Sequence, residues 1–147
     1  DLAPTILELA RLPAAATAQM DGRSLAPLLL SGDDAGRRWR DRFLIEYYAT
    51  TVGADVAHLK DHLKDSGNNT FIGLRVLNAS ANLAYFEFTD VATDYGFERA
   101  NFCELYDLSE DPHQLTNLCA KGGRERMRAA LRDELYREYA CRAEGCV

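Results

Sequence analysis

Several things are missing from this chain of 147 residues, and each absence excludes a class of protein. No apolar run approaches the ~18 residues of a membrane-spanning helix, so no membrane span is expected. Basic residues do not dominate: 17 Lys and Arg stand against 23 Asp and Glu, for a net charge of −6. An acidic chain of this kind argues against a nucleic-acid partner. None of the four cysteines, Cys103, Cys119, Cys141 and Cys146, stands in a C-x-x-C pair. That excludes a zinc ribbon and a thioredoxin-like motif. Internal repeats and long low-complexity tracts are absent as well. The sequence opens at Asp1 on what reads as the middle of a fold, so a fragment of a longer protein is expected, with no signal peptide to be read from it.

What is present is organised around residues 70–118. Phe71–Leu77 and Leu83–Phe88 are rich in β-branched and aromatic residues, and Asn78–Asn82 between them is small and turn-forming, which predicts a hairpin. In the second strand Leu83, Tyr85 and Glu87 point one way and Ala84, Phe86 and Phe88 the other. The second set, free of charge, reads as the better core face. Ile72, Leu74 and Val76 share a face of the first strand, with Arg75 opposite. Phe102–Leu108 alternates again and ends in the turn Ser109-Glu-Asp-Pro112. Phe43–Tyr48 reads as a further strand. Beyond the break at Lys121-Gly-Gly123, Met127, Leu131, Leu135 and Tyr139 form a stripe at four-residue spacing, which predicts a helix over Arg124–Arg142. Charge pairs such as Glu125/Arg128 and Asp133/Arg137 are expected on its outer surface. At the other end, Asp1–Ala10 reads as a helix with Leu2, Ile6 and Leu9 on one stripe, and Ser24 as the N-cap of a short helix reaching Leu30.

Candidate chemistry is sparse. Asn68-Asn-Thr70 and Asn78-Ala-Ser80 are N-glycosylation sequons at expected turns, which makes Asn68 and Asn78 candidate acceptors. Cys141 and Cys146, close together beyond the last helix, suit a loop-closing disulfide in an oxidising compartment. Buried free thiols are an open reading for Cys103 and Cys119. His58 and His62 are four apart on one helical face, a spacing able to hold zinc, but the general-base Glu of a zincin is missing. They are read as part of an exposed helical insertion, and no metal ligand is assigned. The basic run Arg37–Arg42 has the chemistry to grip an oxyanion; the simpler reading is a solvated strand entry with Trp39 packed on the domain.

Asp1-Leu-Ala-Pro-Thr-Ile-Leu-Glu-Leu-Ala10, Met20-Asp-Gly-Arg-Ser-Leu25 and Pro27-Leu-Leu29 resemble the segment that closes the large domain of sulfatases. Glu104-Leu-Tyr-Asp-Leu108, Asp111-Pro112 and Gln114-Leu-Thr-Asn117 resemble the signature of the sulfatases' small C-terminal domain. The pieces occur in the family's order over nearly the whole chain. Within the family, Gln19-Met-Asp-Gly22, the strand Asn82–Phe88 with Asp90, and Gln114 in place of the usual Glu are similar to the N-acetylglucosamine-6-sulfatase group. Arg75 fits an Arg common in other sulfatases, whereas their usual Lys in the second hairpin strand is here Ala84.

The resemblance implies an α+β fold: a small C-terminal domain whose four-stranded antiparallel sheet packs on a C-terminal helix, preceded by a helical remnant of a large α/β domain. Residues 1–36 would end the large domain and 37–147 would form the small one. It also implies hydrolysis of sulfate esters on sulfated glycans, the full-length protein's partners. The family uses a formylglycine made from Cys or Ser in C/S-x-P-x-R, beside a calcium ion. No Cys or Ser of this sequence has Pro two residues on. The formylglycine and calcium are therefore expected in an upstream domain, and neither a catalytic nor a metal role falls on a residue here. A non-catalytic glycan-binding or interaction module derived from the same fold is the alternative. The sequons and the cysteine spacing lead to a secreted or lysosomal, extracellular-type location.

Overall fold

Strand β2 (Thr70–Asn78) turns back into β3 (Ala81–Thr89) through a two-residue turn, with Asn78 opposite Ala81. Around this hairpin the computed structural model places β1 (Arg42–Tyr47) and β4 (Phe102–Asp107), giving one antiparallel sheet of four strands in the order β1-β2-β3-β4. The structure describes residues 1–31, 39–49, 69–143 and 146. The expected α+β architecture, a four-stranded antiparallel sheet with a C-terminal helix, is what the molecule has. Helix α3 (Glu125–Ala140) follows the sheet, while α1 (Leu2–Leu9) and α2 (Ala26–Ser31) come before it.

By backbone proximity the described residues fall into two units. One holds those up to Arg40 and those from Ala140 on; the other holds those from Asp41 to Tyr139. In the first unit, Thr5 joins α1 to the start of α2. Its hydroxyl donates to the Asp1 carbonyl (2.6 Å) and accepts from the Leu25 backbone N–H (2.8 Å). Ser24 accepts from the Ala26 N–H (3.1 Å) in a local turn. The N-cap expected there falls one residue later, since α2 begins at Ala26 and the Leu25 carbonyl accepts its first helical bonds.

In the second unit the core lies between the sheet and α3. Ile72, Leu74 and Val76 of β2, Tyr85 of β3 and Leu105 of β4 meet Leu131 and Leu135 of the helix, with Met127 and Tyr139 half-buried at its edges. The four-residue stripe on α3 thus does what its spacing predicts. On the outer surface Arg137 donates to Glu134 at 2.8 Å.

The choice of core face on β3 differs from the sequence expectation. The helix covers Leu83, Tyr85 and Glu87, not Ala84, Phe86 and Phe88. Glu87 is the reason the sequence pointed the other way, since a lone carboxylate is costly to bury. Here it is 1 % exposed and fully hydrogen-bonded, so the penalty is offset. The opposite face is apolar too. Tyr47, Phe71, Phe88 and Phe102 stand in register across all four strands, with ring centroids 5.5, 5.2 and 5.5 Å apart. Phe86 packs against Gly73 on this face; a Cβ at residue 73 would sit 2.3 Å from its Cδ1. A sheet apolar on both sides has two candidate core faces, and alternation alone does not choose between them.

Candidate functional site

The family-like stretch from Glu104 to Asn117 is β4 and the turn that follows it. β4 buries Leu105 and Tyr106, and Asp111 organises the turn. Its Oδ1 accepts the Leu115 N–H (3.1 Å) and its Oδ2 the Thr116 N–H (2.7 Å). Those two backbone donors, foremost among the causes, hold the Asp111 carboxyl below the usual carboxylate range. Gln114 takes a left-handed backbone conformation (φ 55°) at the tightest point. Both oxygens of Asp111 are thus committed to the chain's own backbone.

Asn117 closes the stretch. Its Oδ1 accepts from the Leu105 N–H (3.1 Å) and the Cys119 N–H (2.8 Å), and its Nδ2 donates to the Cys103 carbonyl (3.0 Å). One amide thereby imitates the edge of a fifth strand along β4, satisfying backbone groups on both sides. Beside it Cys103 and Cys119 form a disulfide, with Cα atoms 6.0 Å apart. The reading of these two cysteines as buried free thiols is corrected by this bond. Arg128 of α3 donates to the Cys119 carbonyl at 2.7 Å, tying the helix to the same point. Replacing Asn117 by Ala should cost about 2 kcal/mol, because half-buried backbone groups lose their partners. Urea unfolding curves of the two proteins would measure it, and an unchanged midpoint would dismiss the brace.

The polar centre of the unit escaped the sequence reading. Glu87 Oε1 accepts the Tyr85 hydroxyl (2.5 Å) and Arg132 Nη1 (3.1 Å), and its Oε2 accepts the Tyr136 hydroxyl (2.8 Å). The Tyr136 hydroxyl also reaches the Phe97 carbonyl, and the Arg132 guanidinium lies over the Tyr136 ring, 4.9 Å from its centroid. Burial first, then the hydrogen bond to Glu87 and its charge, pushes the Tyr85 and Tyr136 phenols well above the ordinary tyrosine range. A cleft of about 350 Å³ runs past this cluster, lined by Asn101, Glu125, Arg128 and Arg132 among others. The only sequence clue was that Glu87 shares a strand face with Leu83 and Tyr85, while Arg132 and Tyr136 stand one helical turn apart.

Of the residues singled out from the sequence, Asn78 lies in the exposed turn of the hairpin. Cys141 and Cys146 are joined by a disulfide with Cα atoms 5.2 Å apart. Asn68, His58 and His62 lie outside the described residues, as do Arg37 and Arg38 of the basic run. Trp39 stacks under the Arg23 guanidinium, 4.6 Å from the ring centroid. Among the described residues no group of three or more His, Cys, Asp or Glu is placed to hold a metal ion.

No family model matches the chain. Human N-acetylglucosamine-6-sulfatase is 33% identical over 130 residues, covering 80% of this chain and 22% of its own length. Over most of its length the chain is similar to the C-terminal part of these sulfatases. It spans about a fifth of the length of these curated relatives. Solved structures share the fold. One is of a protein in complex with its substrate D-glucosamine-2-N,6-O-disulfate, with a TM-score of 0.65 at 20% identity over 92% of this chain and 22% of that one. Another, a 2-O GAG sulfatase, has a TM-score of 0.51 at 23% identity, over 95% of this chain and 25% of that one. In this segment the family-like residues Asp111 and Asn117 brace a strand and a turn. No helix among the described residues is long and apolar enough to cross a membrane.

Proposed function

We propose that this chain is the C-terminal scaffold of a sulfuric ester hydrolase that acts on sulfated glycans, of the N-acetylglucosamine-6-sulfatase kind. The observation that carries the reading is the 33% identity to the human enzyme over most of this chain. The division of labour follows from chemistry. Sulfate ester hydrolysis needs a strong nucleophile and concentrated positive charge around the sulfate. This sequence has no C/S-x-P-x-R motif, and Asp111 is committed to backbone donors. The formylglycine and calcium would sit in the preceding domain, and no step of the hydrolysis is assigned to a residue here. Residues 1–36 belong to that domain in this reading. The exposure of Leu2, Ile6 and Leu9 along one stripe of α1 supports it, as apolar side chains in such an array call for a cover. The two disulfides support an oxidising, secretory or lysosomal setting.

A fluorogenic sulfate ester, assayed with calcium, separates scaffold from catalyst. The full-length protein coexpressed with the formylglycine-generating enzyme should turn over, and this chain alone should not. Turnover by the chain alone would place a nucleophile within it and overturn the assignment. An inactive full-length protein whose nucleophile is correctly converted would favour the binding-module alternative.

A further inference from the structure

We infer that Asn78 is an N-glycan acceptor whose side chain stays hydrogen-bonded in the fold after modification. The residue ends β2 at the two-residue turn, and it, Ala79 and Ser80 are exposed. Its Oδ1 accepts both the Ser80 N–H and the Ser80 hydroxyl, each at 2.9 Å. This Asx turn brings together the two side chains that a glycosyl-transferring enzyme reads in the Asn-x-Ser sequon. It also loads the amide oxygen with two donors, which fixes the carboxamide plane and leaves the nitrogen on the other side.

The nitrogen Nδ2 donates to Asp41 Oδ2 at 2.8 Å, just ahead of β1. That bond is compatible with glycosylation because a primary amide carries two N–H groups. The donor is a lipid-pyrophosphate-linked oligosaccharide. The bond between sugar C1 and the pyrophosphate oxygen breaks, a C1–Nδ2 bond forms, and one amide proton leaves to base with the lipid pyrophosphate as leaving group. One N–H remains for Asp41. The Asp41 carboxyl is held below the usual carboxylate range first by Arg42 and then by Asn78, so it is an ionised acceptor at neutral pH. The sugar would therefore leave from the rim of the sheet with its linkage amide held at both ends, in contrast to a glycan on a loose loop.

The inference rests on the secretory setting proposed above. The test is peptide mass mapping of the full-length protein secreted by cultured animal cells, without reduction and with and without N-glycosidase. The Asn78 peptide should carry hexosamine and be freed by the enzyme. Ser80→Ala should abolish it, and Ser80→Thr should restore it. Bare Asn78 peptide from material whose cysteines are all oxidised would sink the inference while leaving the compartment intact. Bare peptide together with free thiols would remove the compartment as well. Should Ser80→Ala fail to be secreted, the wild-type map and the Ser80→Thr variant still decide.

Discussion

Replacing Glu87 by Ala should destabilise the sheet-and-helix unit by about 3 kcal/mol, within the range found when one partner of a buried ion pair is removed. The side chain is 1 % exposed and takes donors from Tyr85, Tyr136 and Arg132. Removal leaves the Tyr85 hydroxyl, inside the core, without its acceptor, at a desolvation cost of its own. Arg132 is less affected because its side chain is 43 % exposed and regains water, which keeps the estimate at the lower end. Tyr136→Phe should cost less, about 2 kcal/mol, since the hydroxyl's bond to the Glu87 carboxylate and its contact with the Phe97 carbonyl are lost while the ring stays. Chemical denaturation of both variants measures the ordering; equal losses would show that the charge contributes nothing beyond the bonds of this hydroxyl. An alkaline titration followed by tyrosinate absorbance adds an independent readout. With their folded pKa values raised, Tyr85 and Tyr136 bind protons more tightly in the native state than in the unfolded one. Their contribution is complete below the unfolded value of about 10 and is lost as the pH climbs through the folded values. These two phenols should ionise with unfolding, after the exposed ones.

Breaking the Cys103–Cys119 bond should rank beside it. The bridge spans 16 positions, and closing a loop of that length restricts the unfolded chain by about 3 kcal/mol. A Cys103→Ala, Cys119→Ala double variant avoids leaving a lone thiol. Its loss should be larger than that of a Cys141→Ala, Cys146→Ala pair, whose loop has a separation of only 5 and constrains fewer unfolded conformations. Thermal unfolding without reductant compares the two. A smaller loss for the longer loop would indicate that Asn117 already holds this segment in place.

Most of the architecture could be read ahead of the structure because its elements are locally consistent. Val76, Leu74 and Ile72 alternate cleanly, and Met127, Leu131, Leu135 and Tyr139 recur at helical spacing. The face of β3 could not be read, because the rule that assigns faces counts carboxylates as outward. Glu87 obeys a different rule, in which Tyr85, Arg132 and Tyr136 arrive from 2, 45 and 49 positions away to satisfy it. The pairing of Cys103 with Cys119 was hidden for a related reason. Nothing in their spacing marks a bridge until the turn at Asp111 folds the chain back along β4. The part played by Asn117 was visible only as similarity to a family, whereas its bonds to Leu105, Cys103 and Cys119 explain why an amide is needed there.

The bridge between Cys103 and Cys119 makes the segment carrying Asp111 and Asn117 a covalent ring. Within that ring Ser109, Glu110 and residues 112–116 are the exposed stretch, the part a protease acting on this ring meets first. A single cut there would not release α3. The two pieces would stay tethered through sulfur, with Asn117 still docked on β4 and Arg128 still holding the Cys119 carbonyl. A nicked molecule would therefore keep its helix on the sheet.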